Sequence, residues 1–272
     1  MYNNKEFINI KMSENQSEKL TVVKVGGGVL EDVASLAGFL DRFVTLPGLK
    51  ILVHGGGRVA TKLSEQLNIE SRMVEGRRIT DAGTIDIVTM VYGGLINKKT
   101  VAALQARGCN AGGFTGADMN LIEAVKRPVA AIDYGFVGDI TKVNNEVLAI
   151  LLKSGITPVI APLTHDGKGQ LLNTNADTIA SEIAGAMSGL FEVSLVFCFE
   201  KQGVLSDAGD DNSVIESLTA KSYQSYKDKG IIHSGMIPKI DNSFDALRKG
   251  VKQVIITSAL TLDINSGTRI SL

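Results

Sequence analysis

Two lysines, an aspartate and two runs of three glycines are the residues of this chain best suited to handling an anion. "TVVKVGGG", residues 21–28, is a short apolar run carrying Lys24 that ends in Gly26, Gly27 and Gly28. "KILVHGGGRVATKL", residues 50–63, closes another apolar run at His54 and follows it with Gly55, Gly56 and Gly57. Glycine weakens both strands and helices, so a triplet at such a junction needs a reason. Where a parallel strand hands over to a helix, a glycine turn lets backbone N–H groups approach an anion, and the helix adds the positive end of its dipole. Two such turns could grip two ends of an anionic substrate or one transferring phosphoryl group. Two tight turns without a ligand are the alternative; the lysine just before one of them favours a ligand.

The second lysine lies in "IIHSGMIPKIDNSF", residues 231–244, where Gly235 and Pro238 mark a helix start and Lys239 falls one residue in. Proline at a first helical position is ordinary, but a lysine there opposes the dipole, so Lys239 is expected to face an anion rather than solvent. "QLLNTNADTIASEIAGAM", residues 170–187, sets Asn173, Asn175 and Asp177 at alternating positions. Asn175 reads as an N-cap and Asp177 as a first-turn carboxylate. Capping does not account for Asn173, although a polar loop would. "MVEGRRITDAGTIDIV", residues 73–88, offers Arg77 and Arg78, and an arginine fork suits a substrate carboxylate. His54, His165 and His233 have no metal-ligand spacing and none reads as a general base; a structural role suits His54. Neither a GxxxxGK[ST] loop nor a GxGxxG run with its acidic partner is present, which disfavours a Walker-type ATPase or a classical dinucleotide site.

The elements that must position these residues alternate along the chain. Short apolar runs predict strands at Thr21–Val25, Lys50–Val53, Thr157–Ala161, Val193–Phe199 and Gln253–Thr257. Helical spacing predicts helices at Asp32–Thr45, Arg58–Leu67, Thr84–Ala106, Asn144–Lys153, Asn175–Met187, Ala220–Asp228 and Pro238–Lys249. Hairpins are expected around Asp118–Asp139. Strands apolar on both faces and alternating with helices predict an α/β fold: a three-layer α/β/α sandwich with a mainly parallel central sheet. Residues 1–18 read as a flexible N-terminal extension, 19–188 as an N-terminal lobe and 189–272 as a C-terminal lobe. Ligands of such sheets bind beyond the carboxyl ends of the strands, where both glycine triplets fall.

Composition narrows the function further. With 272 residues, 44% of them hydrophobic, the chain can bury one large domain or two lobes. Its 28 basic and 29 acidic residues imply no nucleic-acid surface. The apolar runs are of strand length, so no membrane span is expected, and the polar start is no signal peptide. Cys109 and Cys198 lack metal or disulfide spacing and read as buried small apolar residues of a cytoplasmic protein.

In this order and spacing, "KVGGG", "HGGG", "GRRIT", "NTNAD", "GMIPK" and the terminal "GTRI" resemble the amino acid kinase family over nearly the whole chain, from about Thr21 to Leu272. The likeness is to the branch that phosphorylates N-acetylglutamate. It implies ATP-dependent phosphorylation of the γ-carboxylate of N-acetyl-L-glutamate, or of a closely related N-acyl-glutamate, in arginine biosynthesis. It implies Lys24 and Lys239 as the lysines at the transferring phosphoryl group and on the ATP side, with Asp177 orienting both. Gly55, Gly56, Arg78, Asn173 and Asn175 are the implied substrate-binding residues. Gly27, Gly28, Glu200, Gly203, Val204, Leu205, Gly235 and Met236 are the implied phosphate and ATP residues. ATP would bring Mg2+ on its phosphates, so no protein metal cluster is implied. The 19–188 lobe would take the acyl-glutamate and the 189–272 lobe the nucleotide.

Glu200 stands where the family more often has aspartate, after Phe199 where serine or threonine is usual, which bears on the adenosine contacts. Phe114-Thr115 replaces smaller or aliphatic residues and bears on the acyl group. Another kinase of the family, or a non-catalytic module on the same fold, are the competing readings. The retained Lys24, Asp177 and Lys239 speak against the module; Arg78, Asn173 and Asn175 together speak against a different substrate. The resemblance also implies a homodimer built through Thr84–Ala106, whose Ile85, Ile87, Val88, Val91, Leu95 and Ile96 exceed one narrow face. Residues 1–19 do not resemble the amphipathic helix that joins dimers into hexamers in arginine-inhibited relatives, so insensitivity to arginine is expected.

Overall fold

The computed structural model describes residues 18–74, 76–232 and 235–272. All of the expected N-terminal extension except Glu18 lies outside the described residues, and so does His233. The central sheet has eight strands. Six run parallel, in the spatial order Gln253–Ser258, Glu192–Phe199, Lys19–Val25, Leu49–His54, Thr157–Ile160 and Ala111–Phe114. Beyond Gln253–Ser258 lies Thr268–Ser271, antiparallel to it, and then Ser217–Thr219 at the edge.

Side chains alternate across this sheet with the period of two that a strand imposes. Leu20, Val22, Ile51, Val53, Leu195 and Phe197 pack on one face against helices Asn145–Lys153, Ala176–Met187 and Met236–Arg248. Val23, Val25, Leu52, Val196 and Cys198 pack on the other face with Phe39 and Phe43 of helix Val33–Thr45 and Leu104 of helix Asn97–Gln105. The result is the expected three-layer α/β/α sandwich. The helices start where the sequence supplies a cap. Asp32 accepts from Ser35 N at 2.7 Å, Asp81 from Thr84 N at 2.8 Å, and Asn175 from Asp177 N at 2.8 Å.

Several expectations need correction. Ala111–Phe114, Ser217–Thr219 and Thr268–Ser271 are strands that apolar runs did not reveal, because one is glycine-rich and the other two are only three and four residues long. The helix expected at Thr84–Ala106 is a continuous run from Ala82 to Gln105, but Thr89–Ile96 within it is π-helical. Five of its six apolar positions face this chain's own core: Ile85, Ile87, Val88, Val91 and Ile96 are buried, and only Leu95 is exposed. Pro238 is not the first helical residue: helix Met236–Arg248 begins two residues earlier, in a first turn whose N–H groups have no intrahelical acceptor to lose. Cys198 is buried, but Cys109 is only partly so and lies 3.5 Å from Thr157 Oγ1.

The hairpin expected around Asp118–Asp139 is Ile122–Lys126 paired antiparallel with Gly138–Val143, inside a four-stranded sheet completed by Leu163–His165 and Leu171–Asn173. Among the described residues no helix is long and apolar enough to cross a membrane.

Candidate active site

The parallel strands Lys19–Val25 and Leu49–His54 are neighbours, and each ends in one of the glycine triplets. Beyond their carboxyl ends lies a cavity of about 360 Å³. Lys24, Gly55, Gly56, Arg78, Asn173, Asn175 and Asp177 all line it, although they come from four separate stretches of chain.

Its centre is a buried ion triad. Lys24 shares the sheet face of Leu20 and Val22, which looks onto helix Ala176–Met187. Asp177, in the first turn of that helix, meets it there: Lys24 Nζ lies 2.7 Å from Oδ1. Lys239, from the start of helix Met236–Arg248, donates to Oδ2 at 2.7 Å. The anion that a first-turn lysine requires is therefore, at least in part, Asp177. Only 11% of the Lys24 side chain, 14% of Asp177 and 13% of Lys239 remain exposed, so all three charges interact through protein rather than water. The Lys24 contact is an ion pair outside hydrogen-bonding geometry, and Oδ1 has no hydrogen-bond donor among the described residues.

Burial is the largest single influence on Asp177 and by itself would raise its pKa. The two ammonium groups together outweigh it and hold the carboxyl well below the usual carboxylate range. Lys239 is pushed the other way: burial lowers it most, Asp177 opposes, and the neighbouring charge of Lys24 lowers it further.

Arg78 is buried at the side of the cavity. Its Nη2 donates to Gly57 O and Thr61 Oγ1, both at 2.8 Å, and its Nη1 donates to Ser71 Oγ. Of the five N–H donors of a guanidinium, two are left for a ligand. Arg77 is exposed and also lines the cavity. Asn173 Nδ2 donates to Thr80 Oγ1 at 3.0 Å, which fixes its amide at the end of strand Leu171–Asn173. Asn175 caps helix Ala176–Met187 by accepting from Asp177 N and Thr178 N.

Gly56 is forced by its neighbours. A Cβ there would come within 2.6 Å of Ile96 Cδ1 and 2.8 Å of the Tyr92 ring, both on the π-helical segment. The glycine turn and that segment are thus packed without room for a methyl group. π-helical bulges recur at functional sites.

The residues assigned to the nucleotide lie outside this cavity. Gly27 and Gly28 open the short helix Gly27–Glu31, directly after the strand that carries Lys24. A Cβ on Gly28 would run into the Glu200 carboxylate, which Arg58 Nη1 holds at 3.3 Å. Val204 is buried and its N–H donates to Thr268 Oγ1 at 2.8 Å, while Leu205 bridges Val214. A Cβ on Gly203 would approach the same Thr268 Oγ1 to 2.7 Å. Gly235 caps the helix that carries Lys239, and Met236 packs on the core.

Tyr92, Arg127, Asp139 and Glu182 line the cavity but gave no signal in the sequence. Tyr92 lies inside a run read as plain helix, and Arg127 with Asp139 forms an ion pair on the hairpin whose periodicity was blurred. The cavity therefore presents Lys24, Arg77, Arg78 and Arg127 against Asp139, Asp177 and Glu182, with Lys239 behind Asp177, and it suits a multiply charged anion. Among the described residues no group of three or more His, Cys, Asp or Glu could hold a metal ion.

Comparison with known proteins bears on the family and the fold. The model of the amino acid kinase family matches residues 19–258. The acetylglutamate kinase of Bacteroides thetaiotaomicron is 60% identical over 253 residues, covering 93% of this chain and 98% of that protein. Among solved structures, smu.665 from Streptococcus mutans UA159 superposes with a TM-score of 0.76 at 26% identity, over 93% of this chain and 98% of that one. Carbamate kinase from Giardia lamblia, bound to AMP-PNP, shares the fold with a TM-score of 0.67 at 14% identity, over 93% of this chain and 98% of that one.

Proposed function

The chain belongs to the amino acid kinase family, and from that premise we propose that it transfers the γ-phosphoryl group of ATP to the γ-carboxylate of N-acetyl-L-glutamate, a step of arginine biosynthesis. The observation that carries the reading is the triad of Lys24, Asp177 and Lys239 beside a cavity lined by Arg78 and the second glycine turn. A carboxylate oxygen of the substrate attacks the γ-phosphorus, an O–P bond forms, and the bond to the β,γ-bridging oxygen breaks to release ADP. The acceptor is already ionised at neutral pH, so no proton has to be removed and no general base is required. Phosphoryl transfer of this kind depends on positioning and on charge stabilisation.

Each residue then has a task. Lys24 and the N–H groups of Gly27, Gly28, Gly55 and Gly56 receive the phosphoryl oxygens. Lys239 stabilises the negative charge developing on ADP, and Asp177 sets both lysines at the correct distance. The two uncommitted donors of Arg78 take the α-carboxylate, and Asn173 and Asn175 hold the rest of the substrate. Glu200, Gly203, Val204, Leu205, Gly235 and Met236 form the nucleotide side. Mg2+ enters as part of the ATP substrate; Asp177, the acidic residue at the centre of the site, is committed to two lysines and is a poor metal ligand.

Residues 19–188 serve as the acyl-glutamate and dimerisation lobe and 189–272 as the ATP lobe of a cytoplasmic homodimer. The exposed Met90 and Leu95 on the helical run Ala82–Gln105 are the apolar groups offered to the partner. ADP release with N-acetylglutamate, N-succinylglutamate, glutamate and aspartate offered side by side tests the reaction. Turnover only with an unacylated amino acid would reject it. The ratio of kcat/KM for the acetyl and succinyl substrates reads what Phe114-Thr115 does to acyl preference.

A further inference from the structure

Three consecutive glycines leave a peptide free to rotate, yet a phosphoryl-binding turn works only if its N–H groups are already aimed. The structure contains a lock for one of them. His54 is fully buried and does not line the cavity. Its Nδ1 lies 2.7 Å from Gly55 O, and its Nε2 lies 3.2 Å from Asn97 Nδ2. Asn97 Nδ2 also donates to Val159 O at 3.0 Å on the neighbouring strand, while Asn97 Oδ1 accepts from Lys98 Nζ at 3.2 Å. These partners identify the nitrogen of the Asn97 amide. Facing that N–H, His54 Nε2 must accept, so the proton sits on Nδ1 and is donated to Gly55 O. Burial, the main influence, pushes the His54 pKa down to about 4, so the ring stays neutral at pH 7 and the tautomer is single.

The sheet register turns this into a direction. Lys24 pairs with Val53 on the face that carries Asp177, and Val25 pairs with His54 on the opposite face. Gly55 O is therefore drawn toward the His54 face. In a planar trans peptide the N–H of the next residue points opposite to the carbonyl, and the peptides here are trans. We infer that His54 and Asn97 are positioning residues that lock the Gly55–Gly56 peptide with its Gly56 N–H aimed at the Lys24 side of the sheet, as a preorganised donor to the transferring phosphoryl group. The assignment of that donor to a phosphoryl oxygen rests on the kinase reading above; the lock itself does not.

Asn97 sits at the junction of the π-helical segment and helix Asn97–Gln105, and its seat is reserved: a Cβ on Gly113 would collide with Asn97 Oδ1. The neighbouring turn of the same helical run holds Tyr92 and Ile96 against Gly56. One element thus fixes the glycine turn from two sides.

The test uses two amides that resemble different nitrogens of the ring. In His54→Asn the side-chain nitrogen occupies the place of Nδ1 and keeps the bond to Gly55 O. In His54→Gln the amide reaches the place of Nε2 and keeps the bond to Asn97 but leaves Gly55 O free. Expected is His54→Asn with kcat within about threefold of wild type and His54→Gln lowered by about 10²-fold, the usual loss for one preorganised donor, at comparable melting temperatures. KM for ATP should stay unchanged in both, since the donor acts mainly in the transition state. Crystal structures of the two variants read the Gly55–Gly56 peptide without reference to activity: retained in Asn, rotated in Gln. A peptide unmoved in both would overturn the lock. A rotated peptide with unchanged kcat would overturn its catalytic use, and a wild type inert toward N-acetylglutamate with the peptide behaving as stated would instead reject the kinase reading.

Discussion

Replacing Asp177 with asparagine keeps the size of the side chain and removes the one negative charge that two buried lysines share. Each ammonium lies 2.7 Å from a carboxylate oxygen. At an effective dielectric constant of about 20 each contact corresponds to about 6 kcal/mol of attraction, most of it offset by the cost of burying the charges. Removing one partner leaves that cost unbalanced, and for a buried pair the loss is about 3–5 kcal/mol. Here two cations lose the same partner and also repel each other, so the upper end of that range is expected. Urea unfolding of wild type and Asp177→Asn measures it directly. The acid limb supplies a second reading. The folded carboxyl is held below its unfolded value of about 3.9, so its contribution is complete above that pH and is lost as pH falls toward the folded value. In Asp177→Asn that part of the acid limb should flatten. A variant within about 1 kcal/mol of wild type, with an unchanged acid limb, would refute the shared-anion account of the triad, since about 1 kcal/mol is all that an exposed pair contributes.

Lys24→Ala should lower kcat by about 10² to 10³ while the thermal melt stays cooperative, and near wild-type turnover would sink its assigned role. Arg78→Ala should raise KM for the acyl-glutamate and leave KM for ATP in place, because a carboxylate clamp acts in ground and transition states alike; the reverse pattern would move Arg78 to the nucleotide side. Lys239 is held below the ordinary lysine value, so kcat should fall on the alkaline side before pH reaches about 10.4, and Lys239→Arg should move that limb upward. Light scattering should give the mass of a dimer with and without arginine; a hexamer mass, or inhibition by arginine, would overturn the assembly expected here.

Most of the site could be read in the sequence because its signals are local. A glycine triplet after an apolar run, a lysine at the wrong end of a helix and an asparagine cap before an aspartate each break or satisfy a rule within a few residues. What joins them is not local. Asp177 and Lys239 belong to different helices that meet only because both cover the same sheet face. The commitment of Arg78 to Ser71, Thr61 and Gly57 also depends on how a two-stranded hairpin folds over the second glycine turn. The strand Ala111–Phe114 was invisible for a related reason. Gly112 and Gly113 lower its β-propensity, and each is required by contacts that only the fold creates: a Cβ on Gly112 would press on Phe114 at 2.8 Å, and one on Gly113 on Asn97. The π-helical segment escaped because its apolar residues still repeat closely enough to pass for one helix.

The two faces of the sheet divide the work at the cavity. The Lys24 face supplies the charges: Lys24 from the strand, Asp177 and Lys239 from the starts of two helices packed on it. The His54 face supplies hydrogen bonds from a neutral imidazole and an amide, and these set backbone geometry through Gly55 O. Such a division suits a reaction whose charge changes place but whose protons do not. The lysines must stay ionised, which a shared carboxylate at the helix starts favours, and the backbone donors must not reorient as charge moves from nucleophile to leaving group. A flexible triplet could follow the charge and give back in reorganisation what it gained in attraction. Glycine is needed for close approach, so rigidity has to come from outside the turn. It comes from the buried imidazole and amide behind it, and from the aromatic and aliphatic side chains that leave Gly56 no room to move.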